Sequence, residues 1–440
     1  MGIFTIILVS LLMIINGTAE KLHDAFGMIG ELGSLNNNNN NNEDDEDDGI
    51  EAVEMSSSWR GKRCVVNVDS FGAVGDGISD DTQAFIGAWN KACSMQKSVL
   101  LVPKRRRYVV NATIFNGPCV GKLIVKIEGT IIAPAKIKEW DPKLTRIWLA
   151  YNNLTSVVFK GNGVIDGSGA PWWAASCKRN KSLPCTKAPT SLTIDNSSDI
   201  HVRDLTIRNS QQFHFTISRS HSVSVSNVLV TAPADSPNTD GIHILNSTKV
   251  VLKKCKIGTG DDCISIIAGS SNIKMKSITC GPGHGISIGS LGKDNATDFV
   301  KKIHLDGAFF KNTTNGVRIK SWQGGSGYAK EIKFENVIME DVKNPIIIDQ
   351  FYCDSTTPCA NQTSAVKISD IKFKNIVGFT QSEVAMKFAC SDTVPCKNIH
   401  LINIALISKN TTADTFCNSA TVSEFGVVVP PVYCLLQDDA

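Results

Sequence analysis

Apolar residues along this chain recur in short β-branched runs such as Leu123-Ile-Val-Lys-Ile127, Val157-Val-Phe159, Leu192-Thr-Ile194, Ile200-His-Val202, Leu205-Thr-Ile207 and Val223-Ser-Val225. Gly, Asn, Asp and Ser separate them, which is the pattern of short strands punctuated by turns. Consistent hairpin dipeptides do not join the runs, so a meander of antiparallel strands is not what the spacing describes. One helix is predicted, over Asp80 to Cys93. Asp80, Asp81 and Thr82 are cap residues, and Ala84, Phe85, Ala88 and Trp89 follow at helical spacing.

A longer rhythm lies over the strands. Gly241, Cys263 and Gly285 are 22 and 22 residues apart, and each introduces an apolar-polar-apolar triplet. Gly316 and Pro345 extend the series after 31 and 29 residues, with loop insertions accounting for the longer intervals. A repeat of about 20 to 30 residues with several short strands and no helical half predicts an all-β parallel β-helix, each coil stacked on the last. A β-sandwich is the alternative. In the coil reading Ile242, Ile264, Ile286, Val317 and Ile346 stack inside, and the early helix caps the open end.

Composition adds the compartment. The chain has 440 residues, 42% of them hydrophobic, enough for a sizeable core. Residues 1–19, an apolar run ending in Asn-Gly-Thr-Ala19, read as a secretory signal peptide, and the run is shorter than the roughly 20 residues of a spanning helix. Fourteen cysteines, with close pairs such as Cys177 and Cys185, Cys353 and Cys359, and Cys390 and Cys396, suit local disulfide loops. Nine Asn-X-Ser/Thr sequons, from Asn111 to Asn410, fit the same secretory route. Paired CxxC knuckles are absent, which argues against structural zinc. Residues 20–62 hold the Asn36–Asn42 tract and the acidic run Glu43–Asp48, a low-complexity linker or propeptide. Residues 63–440 remain as the parallel β-helix domain, more basic than the net charge of +3 implies. A basic body fits an acidic polymer or nucleic acid, and decides nothing alone.

The chemistry stands on the repeat itself. Over two coil steps Asp240, Asp261, Asp262 and His284 gather within about 10 Å, given the strand spacing. Clustered carboxylates push at least one carboxyl pKa upward, so a protonated acid and an ionised base can coexist, as acetal hydrolysis requires. Any one of these residues alone reads as a turn residue serving the backbone; their convergence on one ladder points to chemistry. Val317-Arg-Ile-Lys320 sends Arg318 and Lys320 to one side of a strand, a subsite for an anionic substrate or a neutralising pair for the acids. Tyr352 offers a sugar-stacking group, and packing is its equal alternative.

Asn238-Thr-Asp240, Gly260-Asp-Asp262, Gly283-His-Gly285 and Arg318-Ile-Lys320, in this order, resemble the four signature motifs of the polygalacturonases of glycoside hydrolase family 28. The likeness runs from about Asn67 through Cys434. Phe71-Gly-Ala-Val-Gly-Asp-Gly77, Ile165-Asp-Gly-Ser-Gly169 with Trp172-Trp173, and Gly324-Gly-Ser-Gly327 resemble the plant branch. Asn209-Ser-Gln-Gln-Phe-His214 departs from it, since plant members usually carry proline after the serine. The resemblance implies a single-stranded right-handed parallel β-helix and a secreted, monomeric enzyme acting on pectin (polygalacturonate), with endo favoured over exo action. It implies no cofactor, no metal, no nucleic acid and no membrane partner once the signal is removed. By the same resemblance Asp261 is the general acid, Asp240 with Asp262 activates water, His284 tunes the acid, and Asn238, Arg318, Lys320 and Tyr352 hold the sugar and its carboxylate. Disulfides Cys263–Cys280, Cys177–Cys185, Cys353–Cys359, Cys390–Cys396 and Cys417–Cys434 follow as expectations, and no partner is assigned to Cys64 or Cys255. A calcium-dependent pectate lyase and a non-catalytic wall-binding protein are the competing readings.

Overall fold

A computed structural model describes residues 63–434, apart from 356 and 409–411. The expected signal segment, the low-complexity stretch and the Asn410 sequon lie outside the described residues. Two compact units are formed, the first ending at Gly289 and the second opening at Ser290. Each is built from parallel strands, as the all-β, parallel β-helix reading expects.

In the first unit one coil supplies three strands, each pairing with its counterpart on the next. His221–Ser226, Leu229–Thr231 and Ile242–Leu245 pair in parallel with Thr248–Lys253, Lys256–Gly258 and Ile264–Ile266. The inward residues of these pairs, Val223 on Val250, Val230 on Ile257 and Ile242 on Ile264, are all buried. One column runs Leu149, Leu192, Phe215, Ile242, Ile264 and Ile286 in unbroken register, and none of the six exceeds 1% exposure. Full burial of such a side chain contributes roughly 1.5–3 kcal/mol, so the stack is a main source of stability.

In the second unit Val317, Ile346 and Met386 form the equivalent column, each fully buried. Its corners are held by side-chain amides. Asn336 Nδ2 donates to Asp306 Oδ1 at 2.7 Å, Asn375 Nδ2 to Asn336 Oδ1 at 3.0 Å, and Asn403 Nδ2 to Asn375 Oδ1 at 3.2 Å. These three asparagines sit at φ of 58°, 52° and 53°, the left-handed region that asparagine tolerates better than most residues.

The early helix runs Thr82–Cys93 and not from Asp80. Asp80 closes the strand Asp76–Asp80, and from there its Oδ1 accepts the Thr82 amide at 3.0 Å. Asp81 is turned away, its carboxylate accepting the Val74 and Gly75 amides at 2.6 and 3.3 Å. The helix lays Phe85 against Tyr108 and Trp89 against Phe115 and Tyr151, ring centres 5.3–5.4 Å apart, which closes the first coils as a cap must.

All five expected disulfides are present, and Cys64 and Cys255 are free. A sixth, Cys93–Cys119, ties the last residue of the cap helix to the segment before the strand Lys122–Ile127. It closes a loop of sequence separation 26. Replacing both cysteines with serine is expected to lower unfolding stability by about 3 kcal/mol, read as a reduced denaturant midpoint.

Candidate active site

The loop after Lys256–Gly258 and before Ile264–Ile266 carries Asp261 and Asp262, and the preceding coil delivers Asn238 and Asp240 at the matching place. Local packing dictates how. Ser236 and Thr239 knot the earlier loop through a 2.7 Å hydroxyl contact, and Thr239 Oγ1 accepts the Gly260 amide at 3.0 Å. A side chain at Gly260 would place its Cβ 2.0 Å from the Ser236 carbonyl oxygen, so glycine alone lets the two loops stack. His284 stands between Gly283 and Gly285, at φ of 150° and 84°. These backbone angles aim the imidazole back at the coil before it, with the His284 amide bonded to the Asp261 carbonyl at 2.8 Å.

One oxygen each of Asp261 and Asp262 and a ring nitrogen of His284 lie within 4.8 Å of one another. His284 Nδ1 is 3.1 Å from Asp261 Oδ1, which also accepts the Asp262 amide at 2.8 Å. Asn238 Nδ2 donates to the other oxygen, Asp261 Oδ2, at 3.4 Å. Asp240 and Asp262 are recessed, at 7% and 2% exposure, while the His284 side chain is 41% exposed and that of Asp261 19%. The cluster therefore grades from solvent-facing acid and imidazole to buried carboxylates. Among the described residues its donor spacing is also the one that could grip a cation.

Sequence reasoning missed the residues that hold these carboxylates. Ser265 Oγ donates to Asp240 Oδ2 at 2.6 Å, and Ser287 Oγ donates to Asp262 Oδ1 at 2.9 Å. Both serines are the middle residue of an apolar triplet, in register with each other, and each reaches the carboxylate 25 residues earlier. That fixed offset was the available signal. His243, also in that register, contacts Ser265 Oγ through Nδ1 at 2.7 Å and stacks on Phe213 with ring centres 4.4 Å apart. Beneath Asp240 lies the fully buried His214, at the end of the segment that departs from the plant pattern. Its Nδ1 lies 3.1 Å from the Asp240 carbonyl, and its Nε2 lies 3.2 Å from the Thr231 carbonyl and 3.4 Å from the Ser210 amide. Burial pushes its pKa down to about 4, the surrounding backbone hydrogen bonds opposing that shift.

Arg318, Lys320 and Tyr352 belong to the second unit, where Lys320 and Tyr352 are brought together. Within the strand Asn315–Ser321, Val317 and Ile319 are buried in the core while Arg318 and Lys320 share the other face. Lys320 Nζ lies 5.1 Å from the Tyr352 ring centre, and Tyr352 meets Trp322 edge to face at 5.6 Å.

Parallel coils presenting two buried carboxylates, a partly exposed aspartate and an imidazole fit the glycoside hydrolase class. The chain belongs to glycosyl hydrolase family 28, whose description (Glycosyl hydrolases family 28) it matches over residues 93–424. It is 49% identical over 342 residues to a polygalacturonase of Persea americana, covering 78% of this chain and 74% of that one. It is 47% identical over 347 residues to polygalacturonase-2 of Solanum lycopersicum, covering 79% and 76%. Among solved structures, an endo-xylogalacturonan hydrolase from Aspergillus tubingensis superposes with a TM-score of 0.69 at 22% identity, over 82% of this chain and all of the other. Endopolygalacturonase I from Stereum purpureum gives 0.57 at 19%, over 77% and 97%. At these identities the two structures speak to the fold alone.

Two outcomes are expected from this geometry. Ser265→Ala should lower kcat at least tenfold with little change in KM, because a carboxylate released from its donor loses alignment; steady-state kinetics on the hydrolysed polymer checks it. His214 binds a proton at about 4 when folded and near 6.5 when unfolded, so the unfolded chain holds more protons between those values and stability rises with pH. Between pH 4 and 6.5 the wild type should therefore lose roughly 1.4 kcal/mol per unit of acidification more than His214→Gln, measured by urea unfolding.

Proposed function

We propose that the chain is a secreted polygalacturonase that hydrolyses α-1,4-galacturonosyl links of demethylated pectin with inversion, by endo attack. The observation that carries this reading is the Asp261, Asp262 and His284 group within 4.8 Å, with Asp240 in the matching place one coil earlier. The names of the plant relatives supply the substrate, and six disulfides suit an extracellular life.

Asp261 serves as general acid. Its Oδ1 is engaged by the Asp262 amide and His284, which leaves Oδ2, beside Asn238, as the oxygen whose proton passes to the glycosidic oxygen. Asp240 and Asp262, each fixed by a serine hydroxyl, take the proton of a water that attacks the anomeric carbon from the opposite side. Inverting enzymes space acid and base by about 6.5–9.5 Å to admit that water. Asp240, one coil step earlier, extends the set beyond the close Asp261–Asp262 pair. His284 steadies the protonation of Asp261. Arg318, Lys320 and Tyr352 are assigned to the substrate's carboxylate and ring on the strength of their motif and chemistry. Solved relatives of both endo and exo action share the fold, so product size is the discriminating observation.

Asp261→Asn should abolish turnover while sparing polymer binding, since it removes a transferable proton with little change of shape. Activity within tenfold of the parent would remove Asp261 from the acid role. Early digests of polygalacturonate by the parent should contain mid-length saturated oligomers and be insensitive to chelator. Galacturonate alone would mean exo action, and chelator-sensitive unsaturated products would mean a lyase.

A further inference from the structure

Within the first unit, the strands Lys122–Ile127, Thr155–Lys160, Ser198–Arg203, His221–Ser226, Thr248–Lys253 and Ser271–Cys280 form a face separate from the loops that hold the carboxylates. Its inward residues Val125, Phe159, Val202, Val225, Leu252 and Met275 stack in register and are buried. The residue after each points outward, and in chain order these are Lys126, Lys160, Arg203, Ser226, Lys253 and Lys276. Five of six rungs are cationic. At one strand spacing per rung the row extends about 24 Å.

Two of the row's rungs meet carboxylates. Glu128 pairs with Lys126 at 2.7 Å and Asp204 approaches Arg203 at 3.6 Å. Lys160 lies amid like charge, its pKa lowered first by burial and then by Arg203, Lys126 and Arg63, with Asp204 opposing. A folded chain that stacks cations at the strand spacing forgoes stability unless something else meets them, because like charges on adjacent parallel rungs repel. A linear polyanion whose charges repeat along its length meets such a row without having to turn. A hexuronate chain has that form, with a carboxylate on every sugar.

We propose that this face is a second, non-catalytic site for acidic polysaccharide, on which the cationic row holds one stretch of a polymer while the carboxylate loops act on another. The identity of the polymer rests on the polygalacturonase reading; the row itself does not. Association is electrostatic and therefore weakens with salt, whereas hydrolysis of a short oligomer confined to the catalytic loops is indifferent to the row.

The test uses the full chain and the variant Lys160→Gln/Arg203→Gln/Lys253→Gln. Binding to long polygalacturonate is measured in an Asp261→Asn background, so that the polymer persists, across a salt series. The triple variant should bind roughly tenfold more weakly at low salt, as the loss of three part-buried charge pairs gives, and with a shallower dependence on salt. Hydrolysis of a short oligogalacturonide by the triple variant with Asp261 intact should match the parent, which also shows that it folds. Lys160→Arg/Lys253→Arg should bind the polymer like the parent. Unchanged affinity and salt slope in the triple variant overturn the inference. So does a loss confined to single-stranded RNA, or one abolished by neutralising Glu43–Asp48, since the row then serves another polyanion or the chain's own acidic run. If the parent fails to hydrolyse polygalacturonate yet the row still governs binding, the functional reading falls and the surface stands.

Discussion

Parallel register is the constraint on which the rest depends. Ile242, Ile264 and Ile286 are locked in one buried column, and a slip of one residue in any coil would turn its apolar side chains outward. Because that cost falls on every coil, the residues two positions before the column have no freedom to drift. Asp240, Asp262 and His284 occupy those positions. Their approach follows from core packing that never touches them, and the disulfide from Cys263, the next residue after Asp262, to Cys280 secures the same coil covalently.

Register also explains how buried carboxylates are tolerated. A carboxylate at 2–7% exposure is costly unless donors meet it, and the triplets provide donors without spending core volume. In Ile-Ser-Ile the flanking isoleucines enter the core while the serine faces the preceding coil. The contacts recur at two offsets. Serine reaches aspartate across 25 residues at both Ser265 and Ser287, and Asn238 to Asp261 and Asp261 to His284 are each separated by 23. The site is thus two interleaved ladders, one that joins serines to Asp240 and Asp262 and one that joins Asn238, Asp261 and His284.

The column and the clustering of Asp240, Asp261, Asp262 and His284 were legible because both depend on a period that a linear sequence displays directly. Three of the five expected disulfides join close neighbours in sequence, and the full set of five followed from the family resemblance. Cys93–Cys119 was not legible, since it joins a helix end to a turn whose nearness is created only when the cap settles on the first coils. Ser265, Ser287 and His243 were passed over because a polar residue inside an apolar triplet looks like ordinary strand alternation. Only the pairing of successive coils shows that this alternate position faces a carboxylate. The start of the helix was misplaced by two residues because Asp80 and Asp81 are both good caps by composition. The choice between them was made by the Val74 and Gly75 amides, which claim Asp81 from outside the helix.

The cationic row and the acidic cluster come from one rule applied to two places on the same coil. Lys253 ends one strand, Lys256–Gly258 follows, and Asp261 and Asp262 stand in the next loop, so both features advance together at each turn. A single-residue insertion between Lys253 and Asp261 would displace one against the other without breaking either stack's internal spacing. A change of strand register would break both. Substitutions on the row therefore leave the core column and the carboxylate supports unaltered, and binding can be tuned on one face while the chemistry on another is held fixed by the same buried isoleucines.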